Sequence, residues 1–170
     1  QRTPPWVEMV QGSISGYAVQ GYIVHDAGEA LLVDTAYNAH AMLDVLRRRS
    51  LRLVGICLTH GHADHADGIE QILSRHEVPV YLGPEDVGLL SWRPRTELLV
   101  APADGSSISV GRRTVYCVTT PGHTPGGICY RLDDAQLPVC FVGDTLFAGS
   151  IGRSNPKELY PAHIDSVRNR

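Results

Sequence analysis

The spacing of apolar positions changes along the chain, and each change marks an element. Residues 51–58 read as a buried strand that ends at Thr59. Ile69, Ile72 and Leu73 then recur at helical spacing, which predicts a helix running to about Glu77. Upstream, residues 1–16 read as an irregular lead-in. Residues 17–24 and 30–33 read as strands joined by a turn at Asp26, Ala27 and Gly28. Residues 38–49 read as a helix whose stripe is Ala41, Met42, Val45 and Leu46. Downstream, residues 78–82 read as a short strand and residues 83–86 as a helix start. Residues 91–106 read as a surface loop interrupted by a short strand at 97–100, with Trp92, Arg93 and Arg95 on it. Strands at 107–110 and 114–118 follow, and then a hairpin of strands at 128–132 and 137–142 turning at Asp133 and Asp134. Residues 148–155 read as a polar loop, and Pro161 starts a last helix with Ile164 and Val167 inward. Strands and helices in this order predict an α/β domain with helices outside two sheets or half-sheets.

Composition narrows the partners. With 170 residues, the chain fits a single domain over 1–170 that can bury a real core. A net charge of −3, with acids and bases intermingled, points away from a nucleic-acid or polyanion partner. No apolar run approaches the roughly 20 residues that span a membrane. Cys57, Cys117, Cys129 and Cys140 are scattered through strand-like runs, unlike a metal-binding pair or a disulfide framework. They read as buried apolar residues in a reducing compartment, so a cytoplasmic location is expected.

The chemistry gathers after the strand at 51–58. His60, His62, Asp64 and His65 follow Thr59 on a strand-to-helix loop, where α/β folds usually place a site. Imidazole and carboxylate are ligands for zinc, manganese and iron. In an extended segment His60 and His62 lean the same way and can grip one ion. Asp64 and His65, where the chain turns into the helix, point elsewhere and could hold a second. Asp34 ends a strand and either orients a ligand histidine or caps the following helix. His40 and His76 need no role beyond solvation and the helix dipole. His123 stands alone in a loop of turn residues, and Asp144 follows the hairpin at 128–142. The hairpin returns the chain to the end it left, which makes His123 and Asp144 neighbours.

These residues resemble the metallo-β-lactamase superfamily over nearly the whole chain. The motif from Thr59 to His65 carries most of the resemblance, with Pro121 to Gly126 and Gly143 to Phe147 as companions. The resemblance implies an αββα sandwich with two metal ions at one edge of the paired sheets, zinc before iron or manganese. By motif position, His60, His62 and His123 would bind one ion, Asp64 and His65 the other, and Asp144 both. Thr59 and Asp34 would support the ligands from behind.

Within the superfamily the chain looks most like the small glyoxalase II-like hydrolases, through Asp144 and the run from Leu146 to Arg153. That likeness implies hydrolysis of a thioester such as S-lactoylglutathione, with Asp64 orienting or deprotonating the attacking water. The family pattern also has a histidine after Asp144, beyond a helix and a further strand. His163 resembles its loop but falls in the first turn of the last helix, so the chain reads as lacking the last strand and helix or as a degenerate member. Three alternatives follow: an oxygenase like the persulfide dioxygenases, with one iron on His60, His123 and Asp144; an inactive module; and a β-lactamase. The expected partner is a small-molecule substrate, and the oligomeric state is left open.

Overall fold

A computed structural model describes residues 3–170. One sheet has six strands, adjacent in chain order: β1 (Val7–Ile14), β2 (Tyr17–Asp26), β3 (Glu29–Val33), β4 (Arg52–Cys57), β5 (Val80–Tyr81) and β6 (Leu99–Val100). β1 to β3 pair antiparallel and β3 to β6 parallel. A second, antiparallel sheet has the order β10-β9-β8-β7, from β7 (Ser107–Val110), β8 (Arg113–Thr119), β9 (Ile128–Leu132) and β10 (Val139–Phe141). β11 (Leu146–Phe147) and β12 (Ser150–Ile151) form a small ribbon. The helices are α1 (Ala39–Arg48), α2 (Ala63–Ala66), α3 (Ile69–Leu73) and α4 (Tyr160–Asn169).

Strand β3 shows why the layers stack as they do. Ala30 and Leu32 face a core shared with Met42, Val45 and Leu46 of α1. Leu31 and Val33 face the opposite core, with Val115, Cys117, Ile128 and Tyr130 of the second sheet. A strand covered on both faces loses the apolar–polar alternation of a half-exposed one, which is why residues 30–33 read as a continuous apolar run. Full burial of each large aliphatic side chain contributes about 1.5–3 kcal/mol. The parallel pairing of β3 with β4 needs a crossover, and α1 supplies it. The Asn38 side chain caps α1 by accepting from the Ala41 N–H, while Arg47 and Arg48 complement the dipole in its last turn.

The expected α/β sandwich is the observed one, with five local corrections. Residues 7–14 form β1 instead of part of an irregular lead-in; as an edge strand they bury only Val7 and Val10, and Gly12 and Ser13 dilute their alternation. The helix expected to reach Glu77 ends at Leu73, and Gly68, with φ +101°, separates it from α2; a Cβ at Gly68 would lie 2.8 Å from Ala39 Cβ. Residues 84–89 form a 3-10 turn. Residues 150–151 of the expected polar loop pair with β11. In α4 the inward residues are His163 and Ser166, whereas Val167 is exposed. Cys57, Cys117 and Cys129 are buried free thiols; Cys140 is exposed. No described helix is long and apolar enough to cross a membrane.

Tyr130 ties the two sheets together below the site. It is fully buried on β9, and its hydroxyl reaches the carbonyls of Leu58 (3.0 Å) and Tyr81 (3.2 Å), at the ends of β4 and β5. Replacing Tyr130 by Phe is expected to cost about 1–2 kcal/mol in urea unfolding, because the Leu58 and Tyr81 carbonyls lose their shared donor.

Candidate metal centre

β3 and β4 are parallel neighbours, so their C-terminal ends lie side by side and deliver Asp34 and Thr59 to each other. Asp34 is 2% exposed. Its Oδ1 accepts the Thr59 backbone N–H at 2.7 Å. Its Oδ2 accepts the Thr59 hydroxyl and the His65 Nδ1–H, each at 2.8 Å. Asn38, not Asp34, caps the helix that follows. Because the single Thr59 hydroxyl proton goes to Asp34, its oxygen can only accept from His60 Nδ1, 3.1 Å away. One carboxylate thereby sets the tautomers of two histidines.

The backbone around Asp34 is unusual. Asp34, Ala36 and Tyr37 have φ of +55°, +53° and +54°, a region that costs a non-glycine residue of order 1–3 kcal/mol. Surrounding bonds hold it there. The Asp34 N–H goes to Cys57 O at 2.9 Å, and the Thr35 N–H to His65 O at 2.8 Å. The Thr35 hydroxyl faces the carbonyls of His65 and Asp67 at 2.9 and 2.5 Å, which draws them away from helix bonding and shortens α2.

The histidines converge on two overlapping groups. His60, His62 and His123 can offer ligand atoms all within 4.8 Å of one another, and so can His60, His65 and Asp144. His123 Nδ1 donates to Arg153 O at 2.7 Å, which turns Nε2 inward, 3.1 Å from His62 Nδ1. Asp144 Oδ1 lies 3.2 Å from His65 Nε2 and its Oδ2 3.6 Å from His123 Nε2. Asp64 stands outside both groups, with Oδ2 3.7 Å from His65 Nε2, and is more exposed than its neighbours. His163 faces away from the cluster's chemistry: its nitrogens meet Ser154 Oγ at 3.1 Å and Thr145 O at 2.8 Å. His60, His65 and Asp144 form a two-histidine, one-carboxylate group, and His123 Nε2 also lies 3.6 Å from Asp144 Oδ2.

The residues fit a cation. His60 Nε2 is buried with no hydrogen-bond partner, which costs about 1–3 kcal/mol unless something else fills its lone pair. Burial, reinforced by His65, His123 and His62, pushes the His60 pKa far below the ordinary histidine value and keeps the ring a neutral donor. Burial also lowers His123, only partly offset by its bond to Arg153 and by the Asp144 charge. His65 goes the other way: burial opposes its charge, but Asp34 and Asp144 outweigh it and raise its pKa to about 10. Burial would raise Asp144, yet the His65 hydrogen bond and the surrounding imidazoles lower it. The neutral rings of His60 and His123 thus sit beside an ionised Asp144, whose charge His65 balances here and a cation could balance in its place.

Sequence reasoning missed two groups around the centre. One is Arg153, whose carbonyl orients His123; a backbone acceptor leaves no mark in a sequence. The other is Asp86, fully buried, which accepts Gly61 N–H at 3.1 Å and Gly126 N–H at 2.8 Å. Its helix-start context hid it. Arg95, on the surface loop, pairs with Glu77 and Glu97 at the surface.

With this fold and donor set, the chain belongs to the metallo-beta-lactamase superfamily, whose family pattern matches residues 15–170. It is 28% identical over 148 residues to the probable polyketide biosynthesis zinc-dependent hydrolase PksB of Bacillus subtilis, covering 86% of this chain and 63% of that protein. It is 36% identical over 132 residues to the hydroxyacylglutathione hydrolase of Hahella chejuensis, covering 77% of this chain and 48% of that protein. The chain therefore spans about half to two thirds of the length of these curated relatives. The crystal structure of BLEG-1, a B3 metallo-beta-lactamase, superposes with a TM-score of 0.77 at 26% identity, over 96% of this chain and 84% of that one.

The Asp34–His65 pair has a pH signature in chelator-treated protein. A folded pKa of about 10 for His65, above its ordinary value near 6.5, means that its stabilisation is fully present below about pH 6.5 and lost as pH rises through about 10. Replacing Asp34 by Asn is expected to lower the His65 pKa in an NMR titration and to flatten this alkaline loss of stability.

Proposed function

We propose that the chain forms the metal-binding domain of a hydrolase that cleaves a thioester, such as S-lactoylglutathione or a related acyl-thiol. The observation that carries this reading is the reach of Asp144, whose two oxygens face His65 on one side and His123 on the other. A carboxylate between two nitrogen sets supports a pair of divalent ions, zinc first, with His60, His62 and His123 around one and Asp64, His65 and Asp144 around the other. Bound there, such ions would supply a Lewis acid for the acyl carbonyl and lower the pKa of water.

The remaining work falls to the chain's own groups. Asp64, with a third of its side chain exposed, can accept a proton from the attacking water at the open side of the cluster. Asp34 and Thr59 hold His60 and His65 in one tautomer, so the donor atoms need no reorganisation. A thiolate leaves readily and asks little of a general acid. Relatives named as hydrolases, one of them a hydroxyacylglutathione hydrolase, support the class.

A second reading has one observation in its favour. His60, His65 and Asp144 are a two-histidine, one-carboxylate set of the kind that holds a single iron in oxygenases. Elemental analysis separates the two. About two ions per chain with zinc present supports the hydrolase; one iron, with oxygen consumed on addition of a glutathione persulfide, supports the oxygenase.

Metal-loaded protein is expected to turn over S-lactoylglutathione, to lose activity on chelation and to regain it with zinc. Asp64→Asn is expected to lower kcat by about 100-fold or more. No turnover of any thioester by protein carrying two ions would overturn the proposal.

A further inference from the structure

Both histidine-bearing loops meet at a third segment, the 3-10 turn Pro84–Leu89. Asp86 lies in this turn with no exposed surface. A carboxylate near the start of a helical turn ordinarily caps its own backbone. Asp86 does not. Its Oδ2 accepts the N–H of Gly61, the residue between His60 and His62, and its Oδ1 accepts the N–H of Gly126, three residues after His123. Among the described residues no cation pairs with it, so these backbone donors compensate a buried carboxylate.

The packing around Asp86 is equally specific. A Cβ on Gly61 would lie 2.5 Å from Asp86 O. One on Gly126 would lie 2.8 Å from Asp86 Oδ1, and one on Gly83 would lie 2.1 Å from Gly126 O. The backbones of all three loops therefore come close enough to exclude any side chain larger than hydrogen. A bare turn-capping role requires no such convergence, and neither does hydrophobic packing.

We propose that Asp86 is a positioning residue for the metal centre: it spans the loop of His60 and His62 and the loop of His123, and holds the three imidazoles at ligating separation. This inference rests on the metal reading above. The two carboxylates behind the cluster divide the work. Asp34 orients His60 and His65 from the β3 side, while Asp86 fixes the distance between the His60–His62 pair and His123. Without Asp86, two buried N–H groups lose their acceptor and the two loops can part, so that His62 Nδ1 and His123 Nε2 no longer face each other at 3.1 Å.

The test compares Asp86→Asn, Asp86→Ala and a control, Leu46→Ala, which disrupts the core on α1 away from the loops. Each is titrated with zinc against a chromophoric chelator, and the visible absorption of the cobalt-loaded form is recorded. Asn presents one acceptor oxygen and Ala none. The expected result is graded: affinity falls about tenfold for Asn and about a hundredfold for Ala, the range typical of lost support behind a ligand, with an altered cobalt spectrum. Leu46→Ala is expected to lower thermal stability yet keep the parent affinity and spectrum. Parent-like affinity and spectrum in Asp86→Ala would overturn the role of Asp86 and leave the metal reading standing. An affinity loss in Leu46→Ala as large as in Asp86→Ala would overturn it too, as mere instability. A parent protein that takes up neither zinc nor cobalt would overturn the metal reading and this inference with it.

Discussion

One buried carboxylate sets the geometry of the whole centre. Asp34 takes three donors, two from Thr59 and one from His65, and through the Thr59 hydroxyl it also decides which nitrogen of His60 faces inward. A buried charge left unpaired would be expensive, so these bonds are conditions for folding as well as for chemistry. The three left-handed residues after β3 show the cost accepted to place it. Thr59 is gripped from the other side as well: its carbonyl accepts the Ile128 N–H at 2.9 Å, and Gly143 approaches so closely that a Cβ would lie 2.3 Å from its hydroxyl oxygen.

The second sheet supplies the opposing half. β9 and β10 form a hairpin that places His123 and Asp144 at one end, facing the loops after β3 and β4. α4 holds this end in place. His163 donates from Nε2 to Thr145 O and sits so close to Gly122 that a Cβ there would lie 2.4 Å from its own. Ser166 donates to Pro121 O at 2.8 Å. One helix thereby braces the loops of both His123 and Asp144. His163, whose Tyr160-Pro161-Ala162 context suggests a ligand, is instead a structural histidine with both nitrogens engaged.

What could be read in the chain, and what could not, follows from range. His60, His62, Asp64 and His65 lie within six positions, so their types and spacing advertise metal chemistry without any fold. The hairpin from 128 to 142 was legible by its turn, and it was enough to pair His123 with Asp144. β1 was hidden because an edge strand with one half-buried face hardly alternates. The close approach of Gly68 to Ala39 was hidden because the two lie far apart in sequence. Asp86 was hidden for the same reason: its two acceptor bonds go to residues 25 and 40 positions away.

Apolar runs of strand and helix length in alternation set the class of fold, and residue types set the donors available to the centre. Which donors meet follows from the packing of the two sheets. That packing put His60 into both ligand groups, left Asp64 at the open edge, turned both His163 nitrogens to structural partners and assigned Asp34 to two histidines while Asn38 took the cap. The physical reason is that residue type and local period reflect short-range sterics and burial. Hydrogen-bond partners across parallel strand ends and between loops depend on distances that exist only once the two sheets have packed.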